Sequence, residues 1–149
     1  WYYFGILELT TLKTFKNNPE WISKKLNISI TEVITAIDRL KRVGLLVENT
    51  DRTLKKVEKD YLFENVPSAA IRKHHHQTLD LAHTALDKQS LQEREFFTIS
   101  MPMNSKNMNK AKQAIREFSE KLMTEMQEDE PESVYKLAVQ FFRLDKESI

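Results

Sequence analysis

The sequence predicts an α+β fold, in which a winged helix-turn-helix is followed by a long helix and a β-α-β unit. Three observations lead there. Between residues 18 and 57, two helical patterns joined by a tight turn precede a glycine and two short strand-like runs. From residue 67 to about 88 runs one long helical pattern. Beyond residue 96, two stretches of alternating apolar and polar residues flank a segment whose apolar residues recur at intervals of three and four. Alternation marks one face of a strand, and the longer interval marks one face of a helix. The expected division is a winged-helix domain over 1–60 and an oligomerisation or sensing domain over 61–149.

The front elements follow in order. A first helix from about Tyr2 to Lys16 would turn Ile6, Leu9, Leu12 and Phe15 inward. Asn18 then caps a short helix that has Pro19 at its first position, where a missing amide costs nothing. That helix ends at Leu26, and Asn27-Ile28 make the turn. Ser29 and Glu32 have capping-box spacing, so each can satisfy the other's orphan amide at the start of a third helix. Its apolar stripe reads Ile30, Val33, Ile34, Ile37, Leu40 and Val43, and Gly44 stops it. Leu45-Leu46-Val47 and Leu54 to Val57 read as the two strands of a hairpin, the wing, joined by a turn from Asn49 to Arg52.

The back elements are simpler. Pro67-Ser68 open the long helix, with Ala70, Ile71, His74, Leu81, Ala85 and Leu86 at inward or flanking positions. Phe97, Ile99, Met101 and Met103 form one apolar side of a strand that Pro102 places at an edge or end. A helix from about Ser105 to Glu128 carries Met108, Ala111, Ile115, Phe118, Leu122 and Met126 on one side. After an acidic turn, Asp129-Glu130-Pro131-Glu132, the last strand alternates Tyr135, Leu137, Val139 and Phe141 with polar or small neighbours. Two strands seldom make a stable sheet alone. The expectation is therefore that another copy of the chain, or strands elsewhere in the protein, completes it, with a homodimer the preferred solution.

Composition removes several functions. With 149 residues and 40% hydrophobic content, the chain can bury one core or two small ones. Its net charge is only +1, but residues 1–73 hold thirteen Lys/Arg against nine Asp/Glu, and 74–149 hold ten against thirteen. A basic front half suits contact with nucleic acid. The absence of cysteine excludes disulfides, thiolate nucleophiles and Cys-ligated zinc, and it suits a reducing cytoplasm. Gly5 and Gly44 are the only glycines, too few for a phosphate-cradling loop or a dinucleotide fingerprint. No apolar run nears the roughly 18 residues that span a bilayer, so no membrane partner is expected. Trp1 stands where a complete chain would have Met, as in a piece of a longer protein.

Opposite the apolar stripe of the third helix stand Thr31, Thr35, Asp38, Arg39 and Arg42. In a recognition helix, Arg bridges guanine while Thr touches thymine methyls or phosphates. The wing would add Arg52 and Lys55, with Lys56 beside them, on the phosphates. The expected DNA-binding residues are thus Thr31, Thr35, Arg39, Arg42, Arg52 and Lys55, with double-stranded DNA as partner. Asp38 and Glu32 would repel phosphate, so the same side could instead pack against protein or simply face water. On the long helix, His76, Asp80 and His83 share one side at metal-ligand spacing. They lack a fourth ligand, and solvated histidines are the simpler reading. No metal, no cofactor and no enzymatic activity are expected, since no nucleophile and acid–base pair is fixed by the sequence.

Several pieces together resemble a known family: Trp1-Tyr2, Pro19-Glu20-Trp21-Ile22, Gly44-Leu45, Val66-Pro67-Ser68, Ala70-Ile71-Arg72 and His75-x-Gln77. Further along come Arg94-Glu95-Phe96, Ile115-Arg116-Glu117-Phe118 and Val134-Tyr135-x-Leu137. They resemble the C-terminal domain of a paralogous family of bacterial transcriptional regulators, a domain whose function is unknown. The resemblance implies that a Cro-like helix-turn-helix normally precedes residue 1 and supplies a better DNA reader than Arg39 and Arg42 here. It implies no catalytic residues. His74 departs from the aromatic or apolar residue expected at its position. The expected function is transcription regulation, with DNA bound either by the wing and third helix or by that preceding segment.

Overall fold

We describe residues 1–57, 68–126 and 129–145 of a computed structural model, which holds five α-helices and a two-stranded antiparallel sheet among those residues, an α+β arrangement. Contacts divide it into two units. The first comprises Trp1–Glu95 and Glu130–Val134, the second Phe96–Asp129 and Tyr135–Ile149. The expected boundary between residues 60 and 61 lies outside the described residues, as does Pro67.

In the first unit, helix α1 (Tyr2–Leu9) ends about two turns before Lys16, where periodicity placed its end. The cause is local. The Thr10 and Thr11 hydroxyls donate to the Leu7 and Glu8 carbonyls at 2.7 and 2.8 Å. The amides of Thr10, Thr11 and Leu12 meanwhile bond three residues back rather than four. Hydroxyl side chains compete with the helix ladder in this way, and a tightened turn ends it. Leu12 and Phe15 still reach the core.

Helix α2 (Pro19–Leu26) is built as the sequence predicts. The Trp21 amide donates to Asn18 Oδ1 at 3.0 Å, and Asn27 closes the helix with φ +52. Asparagine tolerates that left-handed geometry better than most residues. The Ser23 hydroxyl then donates to the Ile28 carbonyl at 2.6 Å, holding the turn into α3. A Cβ at Gly5 would lie 3.1 Å from Leu26 Cδ2, so α1 and α2 approach closely there. Helix α3 (Ile30–Arg42) starts with the full capping box: Glu32 N donates to Ser29 Oγ at 3.2 Å, and Ser29 N donates to Glu32 Oε2 at 2.9 Å.

Strands β1 (Leu46–Glu48) and β2 (Leu54–Lys56) pair antiparallel, with Leu46 opposite Lys56 and Glu48 opposite Leu54. Leu46 and Leu54 drop into the core made by Ile6, Leu7, Leu9, Leu12, Ile22, Val33, Ala36, Ile37 and Leu40. Each Leu, Ile or Val among them contributes roughly 1.5–3 kcal/mol on burial. Val134, from the segment Glu130–Val134, also packs on this core. Helix α4 (Ala69–Lys88) turns Ile71, His74, Gln77, Leu81 and Ala85 partly inward, and His74 meets Phe4 edge-on at 5.7 Å between ring centres. An imidazole thus sits where an apolar ring was expected and makes the aromatic contact itself. Thr78 is buried on the same side, and its hydroxyl has no hydrogen-bond partner among the described residues.

The second unit corrects an expectation. Helix α5 (Met108–Glu125) follows a short 3-10 turn, Ser105–Asn107, and half-buries Met108, Ala111, Ile115 and Leu122. Phe118 and Met126, expected on that side, are exposed. The β-α-β unit does not form. Residues 97–103 and 135–141 lie outside any strand, and β1–β2 is the one sheet among the described residues. Alternation records which side chains share a side. A strand also needs a neighbour for its amides and carbonyls, and alternation says nothing of that.

Two outcomes follow for stability. Ser29→Ala should cost about 1 kcal/mol at neutral pH, read by urea unfolding. The Ser29 amide and hydroxyl hold the Glu32 carboxyl below its ordinary 4.5. A carboxylate lowered on folding stabilises above its unfolded pKa and stops doing so as pH falls through the folded one. The difference between wild type and Ser29→Ala should therefore be full at neutral pH and shrink below 4.5; a pH-independent difference would contradict it. Thr78→Val, which removes an unsatisfied hydroxyl at constant shape, should raise stability by about 1 kcal/mol.

Candidate nucleic-acid interface

The inward side of α3 decides which residues face out. Val33, Ala36, Ile37 and Leu40 are buried, at spacings of three, one and three, so they form one narrow stripe. Ile30, Ile34 and Val43, expected within the stripe, are 43%, 48% and 55% exposed. Thr31, Thr35, Asp38 and Arg42 lie on the side away from that stripe, and all four are exposed. The spacing of Val33, Ala36, Ile37 and Leu40 was visible in the sequence once alanine is counted as apolar.

Arg39 belongs to a different edge of the same helix. Its guanidinium donates to Tyr3 Oη at 3.0 Å and lies 5.8 Å from the centre of the Tyr3 ring. Tyr2 stacks on Tyr3 at 5.1 Å with 18° between planes. Burial, with Tyr3 and Glu32 nearby, pushes the Tyr2 hydroxyl pKa up, and Arg39 opposes that. Arg39 is thus exposed but engaged with α1, so a nucleic acid would have to compete with Tyr3 for it. Helix spacing could not show this partner, which comes from thirty-six positions away.

The hairpin carries Arg52 and Lys55, both exposed. Its tip is tightly organised. Asn49 N donates to the Thr53 carbonyl and Arg52 N to the Asn49 carbonyl, each at 2.9 Å. Asp51 accepts from the Thr53 hydroxyl at 2.6 Å and the Thr53 amide at 2.9 Å, which lowers the Asp51 carboxyl below its ordinary range. Arg52 itself has φ +65, a left-handed conformation at the end of the turn. Asn17 Nδ2 donates to its carbonyl at 2.6 Å. This fastening of loop to turn was not foreseen. Lys55 stands opposite Val47 on the outer side of the hairpin, while its neighbour Lys56 is bound to Glu8 at 2.6 Å and Lys41 pairs with Glu48. Those two pairs hold the hairpin to the helices and take their lysines out of consideration as phosphate contacts.

A cleft of about 600 Å³ is lined by Lys13, Lys16, Trp21 and Lys25 together with Glu130, Pro131, Glu132 and Ser133. Lys25 lies over the Trp21 ring at 5.5 Å, and Lys13 pairs with Glu130 at 2.9 Å. Part of the basic character of the front half is therefore matched by the acidic segment read as a turn. Among the described residues, no three His, Asp or Glu side chains converge on a point that could hold a metal ion. His76, Asp80 and His83 are all exposed, and His83 lies 3.5 Å from Asp87. No helix among the described residues is long and apolar enough to cross a membrane.

The geometry of Arg52 makes a test. A non-glycine residue in the left-handed region is strained by roughly 1–2 kcal/mol. Arg52→Gly should raise stability by about 1 kcal/mol in urea unfolding, whatever the side chain contributes to binding. A loss of stability would show that the arginine side chain, not the turn, holds the tip.

No curated protein and no solved structure matches this chain. A family model described as a domain of unknown function (DUF4423) matches residues 1–144, and the chain belongs to that family.

Proposed function

We propose that residues 1–57 form a winged helix-turn-helix that binds double-stranded DNA through α3, in a cytoplasmic, non-enzymatic transcription regulator that works as a homodimer. One observation carries the reading: Thr31, Thr35 and Arg42 stand exposed together on the side of α3 opposite its buried stripe. A helix presented in this way, behind a shorter helix and a tight turn, fits a major groove about 12 Å wide. Arg42 offers a forked donor for guanine, and Thr31 and Thr35 reach thymine methyls or phosphates. Arg52 and Lys55 hold phosphates from the hairpin. Asp38 narrows the choice of sequence, since a carboxylate accepts from cytosine and repels the backbone. Two copies would engage two half-sites of a duplex.

A second reading has its own support. Ile30 and Ile34, 43% and 48% exposed, give one flank of the same side an apolar rather than cationic character. That suits a protein-docking helix, with DNA held by a helix-turn-helix ahead of residue 1 as the resemblance implies.

Fluorescence anisotropy with a labelled random duplex separates the two. The first reading expects binding that weakens as salt rises, and it expects Arg42→Ala to lose roughly 1–3 kcal/mol of affinity for a selected site. Lys55→Ala should weaken binding on every sequence and reduce the salt slope by about 1. Silence from this chain at low salt, alongside binding by a longer protein that carries the preceding segment, selects the second reading.

A further inference from the structure

We propose that two copies of this chain join through the second unit, by antiparallel pairing of residues 97–101 with the same residues of the other copy. The proposal rests on the homodimer reading above and names the surface that makes it.

Among its described residues the second unit has an amphipathic helix and two alternating segments but no fully buried apolar side chain. Every buried apolar residue of the described chain lies between Ile6 and Leu54, in the first unit. Fourteen large apolar side chains from Phe96 to Leu144 are instead more than a third exposed. Among them, Phe97 is 75%, Ile99 67% and Met101 58% exposed. At on the order of 100 Å² each, these side chains expose on the order of 1,400 Å², against the roughly 800 Å² that each partner of a stable complex buries. A monomer rarely shows more than a few hundred Å² of contiguous apolar surface. The unit thus holds enough apolar area for a full interface between copies.

The chemistry of the segments favours the same chain as occupant. Residues 96–103 contain no charged side chain, so placing them beside their own copy brings no like charges together, whereas 135–144 contains Lys136 and Arg143. Residues 97–101 lie outside any strand, so the backbone groups of a strand-like sequence remain available for an intermolecular ladder. Pro102 has no amide to donate and ends the pairing. Placing Ile99 opposite Ile99 and Phe97 opposite Met101 keeps the apolar residues on one side and Thr98 and Ser100 on the other. Any register shifted by one residue would mix the two sides. A contact of this kind is self-complementary about a two-fold axis, and it closes at two copies.

Sedimentation equilibrium and amide hydrogen exchange, both on the unaltered chain over a dilution series, test this. A dimer is expected, with the amides of 97–101 protected while it persists and losing protection as dilution dissociates it. Ile99→Lys puts two cations at the axis and should weaken association roughly tenfold or more, while circular dichroism and Trp21 fluorescence report whether the first unit still folds. Ser100→Lys, on the other side, should leave association nearly unchanged. Ile99→Cys, the one thiol in an otherwise cysteine-free chain, should form an interchain disulfide on mild oxidation. A dimer whose 97–101 amides exchange freely overturns this surface and leaves the homodimer reading intact. A monomer at every concentration overturns both, without touching DNA binding by α3. Protection that arises only when a different macromolecule is added also overturns it.

Discussion

The seating of the buried side of α3 against α1 and α2 determines most of what the first unit presents. Val33, Ala36, Ile37 and Leu40 meet Ile6, Leu7 and Ile22, and the hairpin closes the arrangement with Leu46 and Leu54. Rotating α3 by one position about its axis would instead turn Ile34, Asp38 and Lys41, or Glu32, Thr35 and Arg39, toward the core. The capping box at Ser29 and the left-handed Asn27 then set where the helix begins and how it leaves α2. A rigid helix with a defined outward side is what recognition requires, whichever macromolecule is recognised.

Ion pairs in the first unit act as fasteners rather than as sources of bulk stability. Exposed pairs contribute little on average. Lys56 to Glu8 and Lys41 to Glu48 nevertheless tie the hairpin to α1 and α3 at definite points. They also sort the cations, because a lysine bound to a neighbouring carboxylate has less to offer a phosphate. Arg42, Arg52 and Lys55 are left as the outward cations of the proposed interface, and Arg39 shares its guanidinium with Tyr3. The match between Lys13 and Glu130 shows the same economy on another side of the unit.

The two units solve the burial problem differently. The first closes a core from local elements, with helices and a hairpin adjacent in sequence, so its contacts form without long-range strand pairing. The second has the apolar content for a core but spreads it over segments that do not pair within the copy. Apolar area in that quantity is what the proposed pairing of copies would cover, and the uncharged stretch from Phe96 to Met103 is where charge opposes it least.

By itself, the sequence determined the caps, turns and helix sides of the first unit. Asn18, Pro19, Asn27, Ser29, Glu32 and Gly44 act through bonds and dihedrals within a few residues of themselves, and such effects can be read from spacing. It determined as well that Thr31, Thr35 and Arg42 share a side, because helix geometry is periodic. The capture of Arg39 by Tyr3 and the docking of Glu130 beside Lys13 were decided by tertiary structure. Each depends on how a distant element approaches, and no local period encodes that. The missing β-α-β sheet has the same origin. Alternation specifies what a strand would bury, but the hydrogen bonds that make it a strand belong to another segment, which the residues of the strand itself do not name.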